Sequence, residues 1–119
     1  MRFMSIYRSK ETNQPPSVDE MSRMGRLIEE ETRKGVLIAT GGCLPSALGA
    51  RVRAAGGELT TVDGPFTETK EVVGGFAILE CASKAEAIEA AKRFMRVAGG
   101  DGECEVRQMA MGPGCAGEP

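Results

Sequence analysis

The stretch Phe76-Ala77-Ile78-Leu79-Glu80-Cys81-Ala82-Ser83-Lys84-Ala85-Glu86 decides the fold class. Phe76 to Cys81 is mostly apolar and short, which reads as a strand. Ser83 and Glu86 then stand three apart, the spacing of a capping box: the Ser hydroxyl takes a backbone N–H and the Glu carboxylate reaches back. The helix opened there runs to about Ala98, with Ile88, Ala91, Phe94 and Met95 on one face. Gly99-Gly100 stops it. Glu103 to Met111 reads as a closing strand, so this half of the chain is strand, helix, strand.

The N-terminal half has the same plan. Phe3 to Arg8 reads as a strand in which Met4 and Ile6 point one way and Phe3, Ser5 and Tyr7 the other. The second set is mixed in polarity and suits a face that meets a partner or a cavity. Ser9 to Pro16 is a loop. Ser17-Val18-Asp19-Glu20 is a second capping box. Its helix extends to about Lys34, with Met21, Met24, Leu27 and Ile28 as an apolar stripe and Glu29, Glu30, Glu31, Arg33 and Lys34 toward water. Gly35 ends it. Val36 to Ala39 reads as a buried strand closed by Gly41-Gly42, and Cys43 to Gly49 as a loop across one end of the sheet.

Between the halves, Ala50 to Ala54 and Glu58 to Val62 read as the arms of a hairpin turning at Ala55-Gly56-Gly57. Thr67 to Val73 reads as a helical turn or an irregular loop. The order predicts an α+β, ferredoxin-like split β-α-β sheet with both helices on one face and an extra β-hairpin. Residues 1–111 form the domain and 112–119 a flexible Gly/Pro-rich tail. Two helices leave one sheet face bare. That face is expected to carry Phe, Ser, Tyr, Glu and Arg, and a second copy of the chain is expected to cover it.

Composition narrows the function classes. The chain has 119 residues, enough for one core without a metal or disulfides. Net charge is −2 with cations spread along the chain, and aromatics make up 4%, which argues against nucleic-acid binding. There is no His and no C-x-x-C pair among Cys43, Cys81, Cys104 and Cys115, so no metal site is expected and the cysteines read as small hydrophobes of a reducing cytoplasm. No signal peptide or membrane-spanning run is evident. Neither Gly41-Gly42 nor Gly56-Gly57 has the Lys-Ser/Thr context of a phosphate-binding loop. No cofactor is expected.

One segment is distinctive: Asp63-Gly64-Pro65-Phe66-Thr67-Glu68-Thr69-Lys70-Glu71-Val72-Val73-Gly74-Gly75-Phe76. Gly64-Pro65 forces a stiff bend at the end of the hairpin arm. Asp63 before it either caps a turn or serves as an acid–base group on the rim of a pocket. Phe66 can pin the loop, and Glu68 and Lys70 add charge beside it. Elsewhere, Arg107 on the last strand, near Glu105, can hold an anionic group or make an ion pair. Tyr7 can hydrogen-bond a ligand or pack at an interface.

This segment resembles the DGPF group of the YCII-related domain proteins. The opening Arg2-Phe3-Met4-Ser5-Ile6-Tyr7, the second helix at Ser83 and Glu86-Ala87, and the closing Glu105-Val106-Arg107 extend the likeness over about residues 2–109. The resemblance implies a ferredoxin-like fold and a dimer whose sheets face each other, the dimeric α/β barrel, with a cavity at the sheet face. In one branch of that family a His and an Asp form a proposed catalytic pair, and one relative is a dehydrochlorinase of an aromatic substrate. This chain lacks His, so only the Asp half carries over, onto Asp63.

Two functions are therefore in view. The preferred one is a homodimeric small-molecule-binding or regulatory domain, with Tyr7, Gly64, Pro65, Phe66, Glu68, Lys70 and Arg107 around the ligand. The alternative is a cofactor-free lyase or isomerase on a small polar or aromatic substrate. There Asp63 is the catalytic acid–base, Arg107 and Tyr7 orient the substrate, and backbone N–H groups near Gly64 stabilise charge.

Overall fold

The computed structural model describes residues 1–12 and 14–110. Among the described residues, six strands and two helices follow the order β1 (Arg2–Ser9), α1 (Val18–Arg33), β2 (Leu37–Gly42), β3 (Ala50–Ala55), β4 (Glu58–Asp63), β5 (Val72–Glu80), α2 (Lys84–Ala98) and β6 (Glu103–Gln108), with a 3-10 turn at Ser46–Leu48. The main sheet has the order β2-β5-β1-β6 with antiparallel neighbours throughout. This α+β arrangement is compatible with a ferredoxin-like fold. The expected tail, residues 112–119, lies outside the described residues.

Both helices start where the capping residues place them. At α1 the Ser17 hydroxyl accepts the Glu20 N–H at 3.0 Å and the Glu20 carboxylate accepts the Ser17 N–H at 3.2 Å. At α2 the Ser83 hydroxyl accepts the Glu86 N–H, but the Glu86 carboxylate takes the N–H of Ala82 instead, one residue upstream. Gly35 (φ 77°) and Gly99 (φ 67°) follow the helices in left-handed backbone, which favours glycine.

The core lies between α2 and the middle of the sheet. Phe3, Leu79, Cys81, Ala87 and Ala90 form its buried cluster, and Phe3 is the largest fully buried side chain. This corrects the reading of β1. Phe3, Ser5 and Tyr7 face the helices: Phe3 is 1% exposed, Ser5 is buried, and the Tyr7 ring stacks edge-on against Phe94 of α2 at 5.1 Å. The bare face carries Met4 and Ile6, opposite Ile78 and Phe76 of β5, with Glu105 and Arg107 of β6 beside them. Alternation fixes which side chains share a face but not which face is covered, and both faces of this strand are partly apolar.

The second strand also departs from expectation. It runs to Gly42, with Gly41 opposite Phe76 and Gly42 opposite Gly75, so the glycine pair lies inside the ladder. Ile38, Ala39 and Thr40 are exposed because β2 is an edge strand. Likewise β5 begins at Val72, pairing Val72 with Ser9, where a turn or loop was expected. Glu31, expected in water, is buried.

β3 and β4 form a hairpin about Gly56-Gly57, both at positive φ. Among the described residues its strands hydrogen-bond to each other and not to the main sheet. Almost every hairpin residue is exposed, Val52 and Leu59 among them.

Candidate functional site

A cleft of about 530 Å³ opens between α1, α2 and the β2–β5 side of the sheet. Its roof is the apolar stripe of α1, Met24, Leu27 and Ile28. Ala90, Ala91 and Phe94 of α2 make one wall, and Tyr7 and Cys104 line it from the central and edge strands. The size falls in the range of about 300–1,000 Å³ typical of small-ligand sites.

The hollow follows from side chains that are missing. Gly42 and Gly75 sit opposite each other on the helix-facing side, and Gly41 and Gly74 flank them. A Cβ on Gly75 would come within 2.7 Å of the Gly41 carbonyl oxygen, so glycine is required there. A Cβ on Gly42 would meet nothing closer than 3.9 Å, so that position could carry a side chain and instead leaves the cleft open.

One charged residue lines the cleft among those described, Glu31 of α1. Its Oε1 accepts from Arg93 Nε at 3.0 Å and Nη2 at 2.6 Å, and its Oε2 accepts from Lys34 Nζ at 3.2 Å. Burial pushes the Glu31 carboxyl up, but the bonds and charges of Arg93 and Lys34 outweigh it and hold the group below the usual carboxylate range. Arg93 thereby ties α2 to α1 across the cleft. Burial raises the Cys104 thiol, opposed by a hydrogen bond with Ser5.

The Gly-Pro bend lies elsewhere. Asp63 is exposed at the end of β4, and neither it nor Gly64, Pro65, Phe66, Glu68 or Lys70 lines the cleft. Gly64-Pro65 is cis. A Cβ on Gly64 would overlap the Ser46 carbonyl, so the chain passes too close for any other residue. The Gly64 N–H donates to the Gly49 carbonyl at 2.9 Å and the Phe66 N–H to the Ser46 hydroxyl at 3.2 Å, so both amides are already engaged. Glu11 accepts from both the hydroxyl and the N–H of Ser46 at 2.6 Å, which holds its carboxyl below the usual range. Arg51 covers the Phe66 ring at 3.8 Å and bonds to Glu68. These contacts fasten the hairpin base to the loop after β1.

Arg107 lies on the bare face and pairs with Glu105 at 3.0 Å, which also takes Arg8 at 3.0 Å. Of the candidate site residues read from the sequence, Tyr7 is in the cleft and the others are not. A cavity against the Ser5 and Tyr7 face was in view, but its place under α1 went unread although signals existed: two glycine pairs and a methionine-bearing stripe. Among the described residues there is no cluster of metal-ligating side chains and no helix long and apolar enough to cross a membrane.

The family model for the YCII-related domain matches residues 1–110. An uncharacterized protein of Rhizobium meliloti (strain 1021) is 34% identical over 99 residues, which cover 80% of each chain.

Proposed function

The chain belongs to the YCII-related domain family, and on that premise we propose that it is a homodimeric small-molecule-binding domain whose ligand enters the cleft under α1. The observation that carries this reading is the cleft itself, apolar in its walls and floored by glycine backbone. A hollow of that size under an apolar helix face forfeits dispersion contacts unless something occupies it. Tyr7 is the residue from the sequence reading that we place against the ligand. Asp63, exposed and away from the cleft, has no chemical step in this reading.

The dimer is supported by the bare sheet face. Met4, Ile6 and Phe76 lie at its centre around a buried Ile78, Phe76 is 42% exposed, and Arg8, Glu105 and Arg107 lie at the margin. An apolar centre with a charged rim is the composition of an interface between subunits. Two such sheets, face to face, give the dimeric α/β barrel.

A thermal-shift screen tests the binding function. Compounds that bind the native state raise Tm by mass action. Hits are expected with wild type and lost with Gly42→Leu, which fills the cleft. Hits that persist in the variant would move the site elsewhere. Sedimentation velocity tests the dimer: wild type is expected at twice the 12.6 kDa chain mass, and Phe76→Glu at the mass of one chain.

A further inference from the structure

Resting on the cleft reading above, we propose that the ligand is an uncharged, mainly apolar ring or short-chain compound, anchored by a single hydrogen-bonding group at Tyr7. Three observations set this class. First, the surfaces facing the hollow are aliphatic, aromatic or bare glycine: Met24, Leu27, Ile28, Leu79 and Phe94 over Gly42 and Gly75.

Second, the cleft has no counter-charge to offer. Glu31 is the charged residue in its lining, and both carboxylate oxygens are already occupied by Arg93 and Lys34. An ionised ligand group would lose its hydration there without gaining a partner, a heavy penalty in an apolar site. The same ion pair joins the helices, so selection against charge is built into the contact between them.

Third, the hydroxyl of one lining residue, Tyr7, is unspent. The Tyr7 hydroxyl makes no hydrogen bond to any described residue, whereas Thr40 Oγ1 bonds to the Phe76 carbonyl and the Cys104 thiol to the Met95 sulfur. Its ring is fixed edge-on by Phe94, and sites for a Cβ on Gly74 and Gly102 lie at 3.1 and 2.9 Å from it. A phenol held rigidly between two glycines is oriented before a ligand arrives, and that lowers the ordering cost of binding.

A matched pair of probes tests the class. N-phenyl-1-naphthylamine and 1-anilinonaphthalene-8-sulfonate share their rings and differ by one sulfonate. The neutral probe is expected to bind with fluorescence gain at least about tenfold more tightly. Gly42→Leu is expected to abolish that gain, and Met24→Trp repeats the test from the helix side should the first variant unfold by circular dichroism. Displacement by 1-naphthol against naphthalene then tests the anchor. A preference for the naphthol of about 2- to 10-fold is expected in wild type and should vanish in Tyr7→Phe. Equal or tighter binding of the sulfonate, lost in Gly42→Leu, would overturn the ligand class and leave the cleft standing. Neutral-probe binding that both filling variants retain, or no binding of either probe, would overturn the cleft reading itself. A naphthol preference that survives Tyr7→Phe would remove Tyr7 as the anchor.

Discussion

Two amphipathic helices of nearly equal length, 16 residues in α1 and 15 in α2, lie over the same sheet and do opposite things there. α2 presents alanines: Ala87, Ala90 and Ala91 are buried against Phe3, Leu79 and Cys81. α1 presents Met24, Leu27 and Ile28, yet its one buried residue is Glu31. Small side chains let a helix settle on a sheet that carries large ones. Large side chains over a glycine floor leave a hollow. An apolar stripe thus states that a helix faces inward; the size of what it meets decides whether the result is a core or a container.

The sharpest way to break this contrast is on the α2 side. Phe3→Ala is expected to cost about 3–5 kcal/mol in denaturant unfolding, the range for a large aromatic removed from a filled core. A loss under 1 kcal/mol would mean that the α2 side is not the core. Next comes the tie between the helices. Glu31→Ala leaves Arg93 without its partner and is expected to cost about 1–3 kcal/mol, less than a fully buried pair because the Arg93 side chain is 35% exposed.

The same pair has a pH signature. The folded Glu31 carboxyl titrates below its usual value, so its contribution to stability is complete above the unfolded pKa. It fades as pH falls through the lower, folded pKa. Unfolding free energies of wild type and Glu31→Gln are expected to differ by a constant amount near neutrality and to converge in acid. A difference that widens in acid would reverse the sign of the shift.

Smaller effects sharpen the comparison. Leu27→Ala, on the wall of the cleft, is expected to cost about 1 kcal/mol or less, well under the 2–5 kcal/mol of a filled site. Gly42→Val is expected to change stability by less than about 1 kcal/mol in either direction, since the strand accepts a β-branched residue and the cleft has room. A penalty of several kcal/mol in either variant would show that the α1 side is packed after all.

Much of the architecture was legible. Ser17 with Glu20, and Ser83 before Glu86, marked the helix starts because capping is local chemistry. Gly56-Gly57 marked the hairpin because a tight turn needs positive φ. What failed was whatever depends on distant neighbours. Glu31 reads as a solvated acid among acids; the Arg93 that buries it stands 62 positions away. The glycine pairs read as strand ends because glycine is a poor strand former, and here Gly42 faces Gly75 across a ladder. Tyr7 was marked as a ligand contact from its place on a polar-mixed strand face, but the helices over that face could not be read from alternation. The Gly-Pro segment drew attention by its motif; its bonds to Ser46 and Gly49 serve the hairpin base.

That base carries one more implication. The Cys43 N–H donates to the Gly74 carbonyl at 2.9 Å, so the chain leaves the sheet and returns to it at touching strand ends. β2, β5, β1 and β6 are complete without the intervening residues. The hairpin is a graft on a finished scaffold, and a segment of another length or chemistry can replace it without shifting the register of any strand in the sheet.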